Sequence, residues 1–242
     1  MGKILKALAL IVGLGVAQNA AASNLLVNGD FEVPVQVAPN YATFNIPAGS
    51  PLITGWNVVQ GNVDLTTNAN YGAGPNSLHP SSVQDIDLIG DSNGSGGVFG
   101  GLSQSFATTP GQEYRLTFDY SHNNGTFSPD YAAQVTVADA NAPANTFFSV
   151  EVSQAYVPGQ VFGHSIWQAF SQDFTATSAL TLLTFIDTRG AFDAGIYLDE
   201  VSVDPLNATT PIPAALPLFA SGLAGVAFLA RRKKRKAQAA TA

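Results

Sequence analysis

In Tyr114-Arg115-Leu116-Thr117-Phe118-Asp119-Tyr120 apolar and polar residues alternate without a break. Tyr114, Leu116, Phe118 and Tyr120 fall on one face at period two, and Arg115, Thr117 and Asp119 on the other, as in a strand with one side on a core. Turn signals bracket the stretch, Pro110-Gly111 before it and Asn123-Asn124-Gly125 after it. Carried outward, the same reading predicts strands over 25–27, 53–59, 63–66, 83–89, 102–106, 132–138, 146–152, 167–175, 180–186 and 196–203. No stretch between residues 24 and 204 has a helical period, and no internal repeat is visible. Many short strands separated by Gly, Pro, Asn and Ser predict an all-β chain, with a single β-sandwich over 23–206.

Both ends differ from this middle. Lys3 and Lys6 precede an apolar run over 7–17, and Ala20-Ala21-Ala22 supplies a small-residue cleavage site, so 1–22 reads as a signal peptide. At the far end, 207–213 reads as a linker and hinge closing on Pro211-Ile212-Pro213. An apolar run over 214–230 follows, then Arg231-Arg232-Lys233-Lys234-Arg235-Lys236. At ~1.5 Å per residue that run makes a helix of about 26 Å, enough for a thin bilayer. It is expected to be a transmembrane helix, with 231–242 as a basic cytoplasmic tail and the sandwich outside. A surface helix has no need of such a run followed by six unbroken cations.

Charge narrows the function. All 17 acidic residues lie between Asp30 and Asp204, where only Arg115 and Arg189 are basic, giving 17 acids against 2 bases and a net −15. Phosphate contact requires clustered cations, so no nucleic acid is expected as a partner. There is no cysteine, so no disulfide holds the fold in an oxidising compartment.

Three sets of residues could carry chemistry. Gly90-Asp91-Ser92-Asn93-Gly94 matches G-x-S-x-G, which would make Ser92 the nucleophile of a secreted serine hydrolase or esterase. That motif needs a helix after it, and Ser95-Gly96-Gly97-Val98-Phe99-Gly100-Gly101 cannot form one, so a turn between strands is expected instead. His79, His122 and His164 lie in Pro-, Asn- and Gly-rich contexts and are expected in loops, without the close spacing of a zinc site. Among the aromatics, Trp56 is expected in the core. Tyr71, in Asn70-Tyr71-Gly72, and Trp167, after Gly163-His164-Ser165-Ile166, are the candidates to stack on a sugar ring.

Asn24-Leu25-Leu26-Val27-Asn28-Gly29-Asp30-Phe31-Glu32 resembles the opening of the DUF642-like, choice-of-anchor extracellular domains. Ile53-Thr54-Gly55-Trp56, Leu102-Ser103-Gln104-Ser105-Phe106 and Tyr197-Leu198-Asp199-Glu200-Val201-Ser202-Val203 are similar to later motifs of that family. The resemblance implies a galactose-binding-like jelly roll, a fold that by itself names no ligand. The C-terminal end resembles the PEP-CTERM sorting signal of Gram-negative bacteria, with Pro211 and Pro213 flanking Ile212 in place of the usual Glu, and Arg231 and Arg232 opening the basic end. It implies processing by an exosortase-type enzyme, transient residence in the inner membrane, and delivery to the cell surface or a biofilm matrix rich in exopolysaccharide. The expected function is a non-catalytic surface or matrix protein that binds carbohydrate.

Metal follows from the same motifs. Period two puts Asp199 on the face of Tyr197, Val201 and Val203, an apolar face, so Asp199 is expected to be buried. A buried carboxylate needs a partner or takes up a proton. In a jelly roll the first and last strands lie side by side, which carries Glu32 towards Asp199. Related carbohydrate-binding modules hold a structural calcium at these motifs, so the resemblance implies Ca²⁺ at Glu32 and Asp199, with Asp30 and Glu200 as weaker candidates.

Overall fold

The computed structural model describes residues 24–35, 41–45, 53–67, 79–90, 99–122, 130–155, 166–190 and 194–206. The expected signal peptide, hinge, transmembrane helix and tail lie outside these, as do Tyr71, Ser92, His164, Pro211, Pro213, Arg231 and Arg232. The described residues form eleven strands: β1 Tyr41–Asn45, β2 Asn57–Gln60, β3 Asn62–Thr67, β4 Gln84–Asp87, β5 Gly101–Ala107, β6 Glu113–His122, β7 Asp130–Asp139, β8 Ala142–Ala155, β9 Gln168–Thr175, β10 Leu180–Asp187 and β11 Ile196–Pro205. They form an all-β sandwich of two antiparallel sheets, with no helix among the described residues. One sheet has the order β1-β3-β4-β11-β6-β9, the other β2-β5-β10-β7-β8.

The alternation in β6 comes out as read. Tyr114, Leu116 and Phe118 are buried in the core while Arg115 is exposed. Phe118 meets Phe185 of β10 edge-on at 5.1 Å, and Trp56 packs on Phe185 at 6.2 Å and Phe31 at 5.3 Å. Full burial of each such ring contributes roughly 1.5–3 kcal/mol, so this contact between the sheets is a main source of stability.

Three expectations need correction. Residues 25–27 form no strand; the opening segment is tied to β11 from outside the ladder. Leu25 N donates to Val203 O at 2.9 Å, Val201 N to Gly29 O at 2.8 Å, and the Asn24 side chain bridges Val201 O and Val203 N. Gly29 is required there, because a Cβ would lie 1.9 Å from Val201 O. The strand expected over 53–59 is a tight turn, with Ile53 bridging Trp56 and Gly55 at φ 81°, before β2 begins at Asn57. β1 has no counterpart in the sequence reading: it is short, lies between Pro39 and Pro47, and takes the sheet edge where such a segment is tolerated.

The face assigned to Asp199 also changes. The pairing of β11 with β6 slips between Asp199 and Ser202, and Glu200 sits there at φ 51°, a β-bulge. The extra residue reverses the alternation. Leu198, Val201 and Val203 point into the core, and Tyr197 and Asp199 point out of the sandwich. Asp199 is still fully buried, but by chain lying over the outer face of the sheet.

Candidate functional site

That outer face is built from acids in register. β3 pairs with β4 so that Asp64 opposes Asp87 and Thr66 opposes Asp85. β4 pairs with β11 through Tyr197 opposite Asp87, and β11 with β6 through Asp199 opposite Asp119. Asp64, Asp85, Asp87 and Asp199 are all buried, each at most 1% exposed. The cover includes the segment from His79 to Val83. Glu32 clamps it by accepting from Ser82 Oγ at 2.6 Å, Val83 N at 2.8 Å and Gln84 N at 3.2 Å. Gln84 returns the clamp by donating to Phe31 O and Pro34 O.

Glu32, Asp199 and Glu200 are thereby brought to one place, while Asp30 stands exposed in the turn before Phe31. Asp199 Oδ1 accepts from Glu200 N at 2.7 Å. Its Oδ2 is buried, has no hydrogen bond and lies 3.9 Å from His79 Nδ1. Burial pushes the Asp199 carboxyl up to about 8; the Glu200 amide and the nearby Ser82 hydroxyl work against this, and the charges of Glu200 and Glu32 add to it. Asp85, bonded to Thr66 Oγ1 through one oxygen and with the other unsatisfied, is raised well above the ordinary range by burial, then by Asp199, Asp87 and Glu32. Asp85 was missed because a polar residue alternating in a strand is expected to face water.

Beside the carboxylates stands an aromatic group. The half-buried ring of Trp167 lies nearly parallel to Tyr197 at 6.3 Å and edge-on to His79 at 5.2 Å. Its Nε1 is buried without a hydrogen-bond partner. His79 joins Asp119 Oδ2 through Nε2 at 2.7 Å and Ser81 Oγ through Nδ1 at 2.8 Å, and Ser81 Oγ donates to Glu200 Oε1 at 2.6 Å. Of the two described histidines, His79 lies in a loop as expected but is half-buried in this cluster, whereas His122 ends β6 fully buried, stacked on Tyr131 at 4.9 Å. Neither carries a periodic signal; only the pairing of distant strands reveals them. Trp56, by contrast, is in the core as read.

An aromatic face flanked by carboxylates can pack on the C–H face of a sugar and accept its hydroxyls. An orphaned carboxylate oxygen beside a second carboxylate suits a hard cation. Among the described residues, no three His, Cys, Asp or Glu side chains converge as a ready metal site.

The chain belongs to the DUF642 family, described as proteins of unknown function, whose profile matches residues 24–203. No curated protein matches it. Among solved structures it is similar to a CBM4 module (17% identity, 75% of this chain and 99% of that one, TM-score 0.39). It is also similar to TmCBM61 in complex with β-1,4-galactotriose (14% identity, 76% and 100%, TM-score 0.42). A third likeness is the K1 cleaved adhesin domain of Lys-gingipain from Porphyromonas gingivalis W83 (16% identity, 70% and 100%, TM-score 0.47).

Proposed function

We propose that this DUF642 protein is an exported, non-catalytic surface or matrix protein with a jelly-roll domain that binds extracellular polysaccharide at Trp167. The observation that carries the reading is the Trp167 ring, half-buried outside the core beside Tyr197 and His79, with an unused indole N–H and the Asp119 carboxylate at hand. A ring kept out of the core in this way, with polar groups around it, has the make-up of a sugar platform. The test is retardation of the full-length protein in native gels cast with neutral polysaccharides. At least one should retard it, and Trp167→Ala should weaken the effect; free migration through all of them contradicts the reading.

The sorting role rests on the sequence of the C-terminal end. Deleting 211–242 should remove the protein from its cell-associated or matrix-bound pool. A mature outer-fraction protein whose intact mass still includes Arg231 and Arg232 would contradict exosortase-type processing. Calcium at Glu32 and Asp199 is supported by the orphaned Asp199 oxygen, which without a cation is left to take a proton. Bound calcium would add its binding free energy to folding by mass action. The melting temperature should rise in millimolar Ca²⁺ over EDTA, and Asp199→Asn with Glu32→Gln should remove the rise. Indifference of the wild type to both conditions counts against the site.

A second reading, a serine hydrolase built on Ser81 and not on Ser92, has a specific observation behind it: Ser81, His79 and Asp119 are joined in one chain of contacts. The proton directions argue against it. Ser81 gives its one hydroxyl proton to Glu200, so His79 Nδ1 faces a serine oxygen with no proton left to draw off. Ester hydrolysis lost in Ser81→Ala with the fold intact would revive it.

A further inference from the structure

The two sheets leave a concavity at one open side. β9 ends the six-stranded sheet and β8 ends the five-stranded one, and a groove of about 490 Å³ lies between them. That volume falls within the range of small-molecule sites, ~300–1,000 Å³. Its base is aromatic: Phe174 stacks on Tyr114 at 5.6 Å and on Phe147 at 6.2 Å, and Phe147 is left half-buried in the lining. Its walls are polar, with the carboxylates of Glu113 and Asp173 and the hydroxyls of Thr146 and Thr175, all four residues exposed.

The lining chemistry selects a ligand class. It holds two carboxylates and no base. The nearby Arg115 commits Nε and one Nη to Asp173, at 2.6 and 2.9 Å. An anion would be repelled, and an apolar ligand would strand the carboxylates. A neutral polyol satisfies both parts, with ring C–H groups on Phe147 and hydroxyls donating to Glu113 and Asp173. We propose that this groove is a second carbohydrate site, taking a neutral oligosaccharide.

Its position gives the proposal a consequence. The groove uses Glu113 and Thr175, which pair at one end of β6 and β9; Asp119 and Trp167 belong to the other end. Six residues of strand separate Glu113 from Asp119, or about 20 Å. Two glycan chains can then be held at once, so one domain can cross-link a polysaccharide, and the double engagement raises avidity without new contacts. The assignment does not depend on the Trp167 site.

The test is calorimetric titration of the full-length protein with cellohexaose, mannohexaose and β-1,4-galactohexaose, followed by viscosity of the matching long polysaccharide. At least one probe should bind at two equivalents per chain. Thr175→Arg, an exposed change that fills the groove without touching the core, should remove one equivalent and the rise in viscosity. Phe147→Ala should do the same, and Glu113→Gln should weaken that equivalent about tenfold. Trp167→Ala should leave the groove equivalent in place. If binding is lost in Trp167→Ala and untouched by the three groove variants, the groove is not a site and the Trp167 reading stands. If only the groove variants lose binding, the reverse holds. Silence of all three probes overturns both.

Discussion

Trp56 and Trp167 are the chain's two tryptophans, and they lie on opposite sides of the six-stranded sheet's chemistry. Trp56 is 1% exposed between the sheets, packed on Phe31 and Phe185, and its Nε1 donates to Asn28 O at 2.9 Å. Every part of it is used by the fold. Trp167 lies over the outer face among Tyr197, His79 and buried acids, and its Nε1 is used by nothing. The same side chain is a stability element in one region and the proposed sugar platform in the other. A residue whose polar atom the fold leaves unsatisfied is the better guide to function than one that is merely aromatic.

The contrast can be broken most severely from inside. Trp56→Ala should cost about 3–5 kcal/mol, by loss of transfer free energy plus the cavity left behind. Thermal or urea unfolding measures this, and a cost under about 1 kcal/mol would mean that the interior repacks freely. Gly29→Ala should come next, at roughly 1–3 kcal/mol, because its Cβ would press on Val201 O and lift the opening segment from β11. Trp167→Phe should cost less than about 1 kcal/mol, as expected away from the packed interior, while glycan binding falls. Equal destabilisation by Trp56→Ala and Trp167→Phe would erase the distinction.

The smallest effect concerns pH. Burial raises the Asp187 carboxyl against the pull of the Gly190, Ile196 and Arg189 amides. A raised folded value means that folding favours the proton. The associated stability is complete below the unfolded value near ~3.9 and is lost as pH rises through the folded one. Asp187→Asn should flatten that part of the stability–pH profile. A profile identical to the wild type's would show that Asp187 carries none of it.

The interior was legible in the sequence because apolar alternation has a single reading in a sandwich. Period two alone puts Tyr114, Leu116 and Phe118 on the core face, and ten of the eleven strands overlap a segment read from pattern. The outer face was not legible, because alternation assigns its polar residues to water. Asp85 is withdrawn from water next to a covering segment that begins at His79 and is held through Glu32, a contact between residues some fifty positions apart. Asp199 was read as buried for the wrong reason: the bulge at Glu200 reverses its face, and no period-two rule anticipates a residue at φ 51°.

The two tryptophans also supply the most direct test. Each indole N–H gives its own ¹H–¹⁵N resonance, so the full-length ¹⁵N-labelled protein reports both regions in one spectrum. On titration with a neutral oligosaccharide that binds, the Trp167 resonance should move in a saturable way while that of Trp56, already bonded to Asn28 O, stays fixed. Saturable binding with Trp167 unmoved would contradict the account.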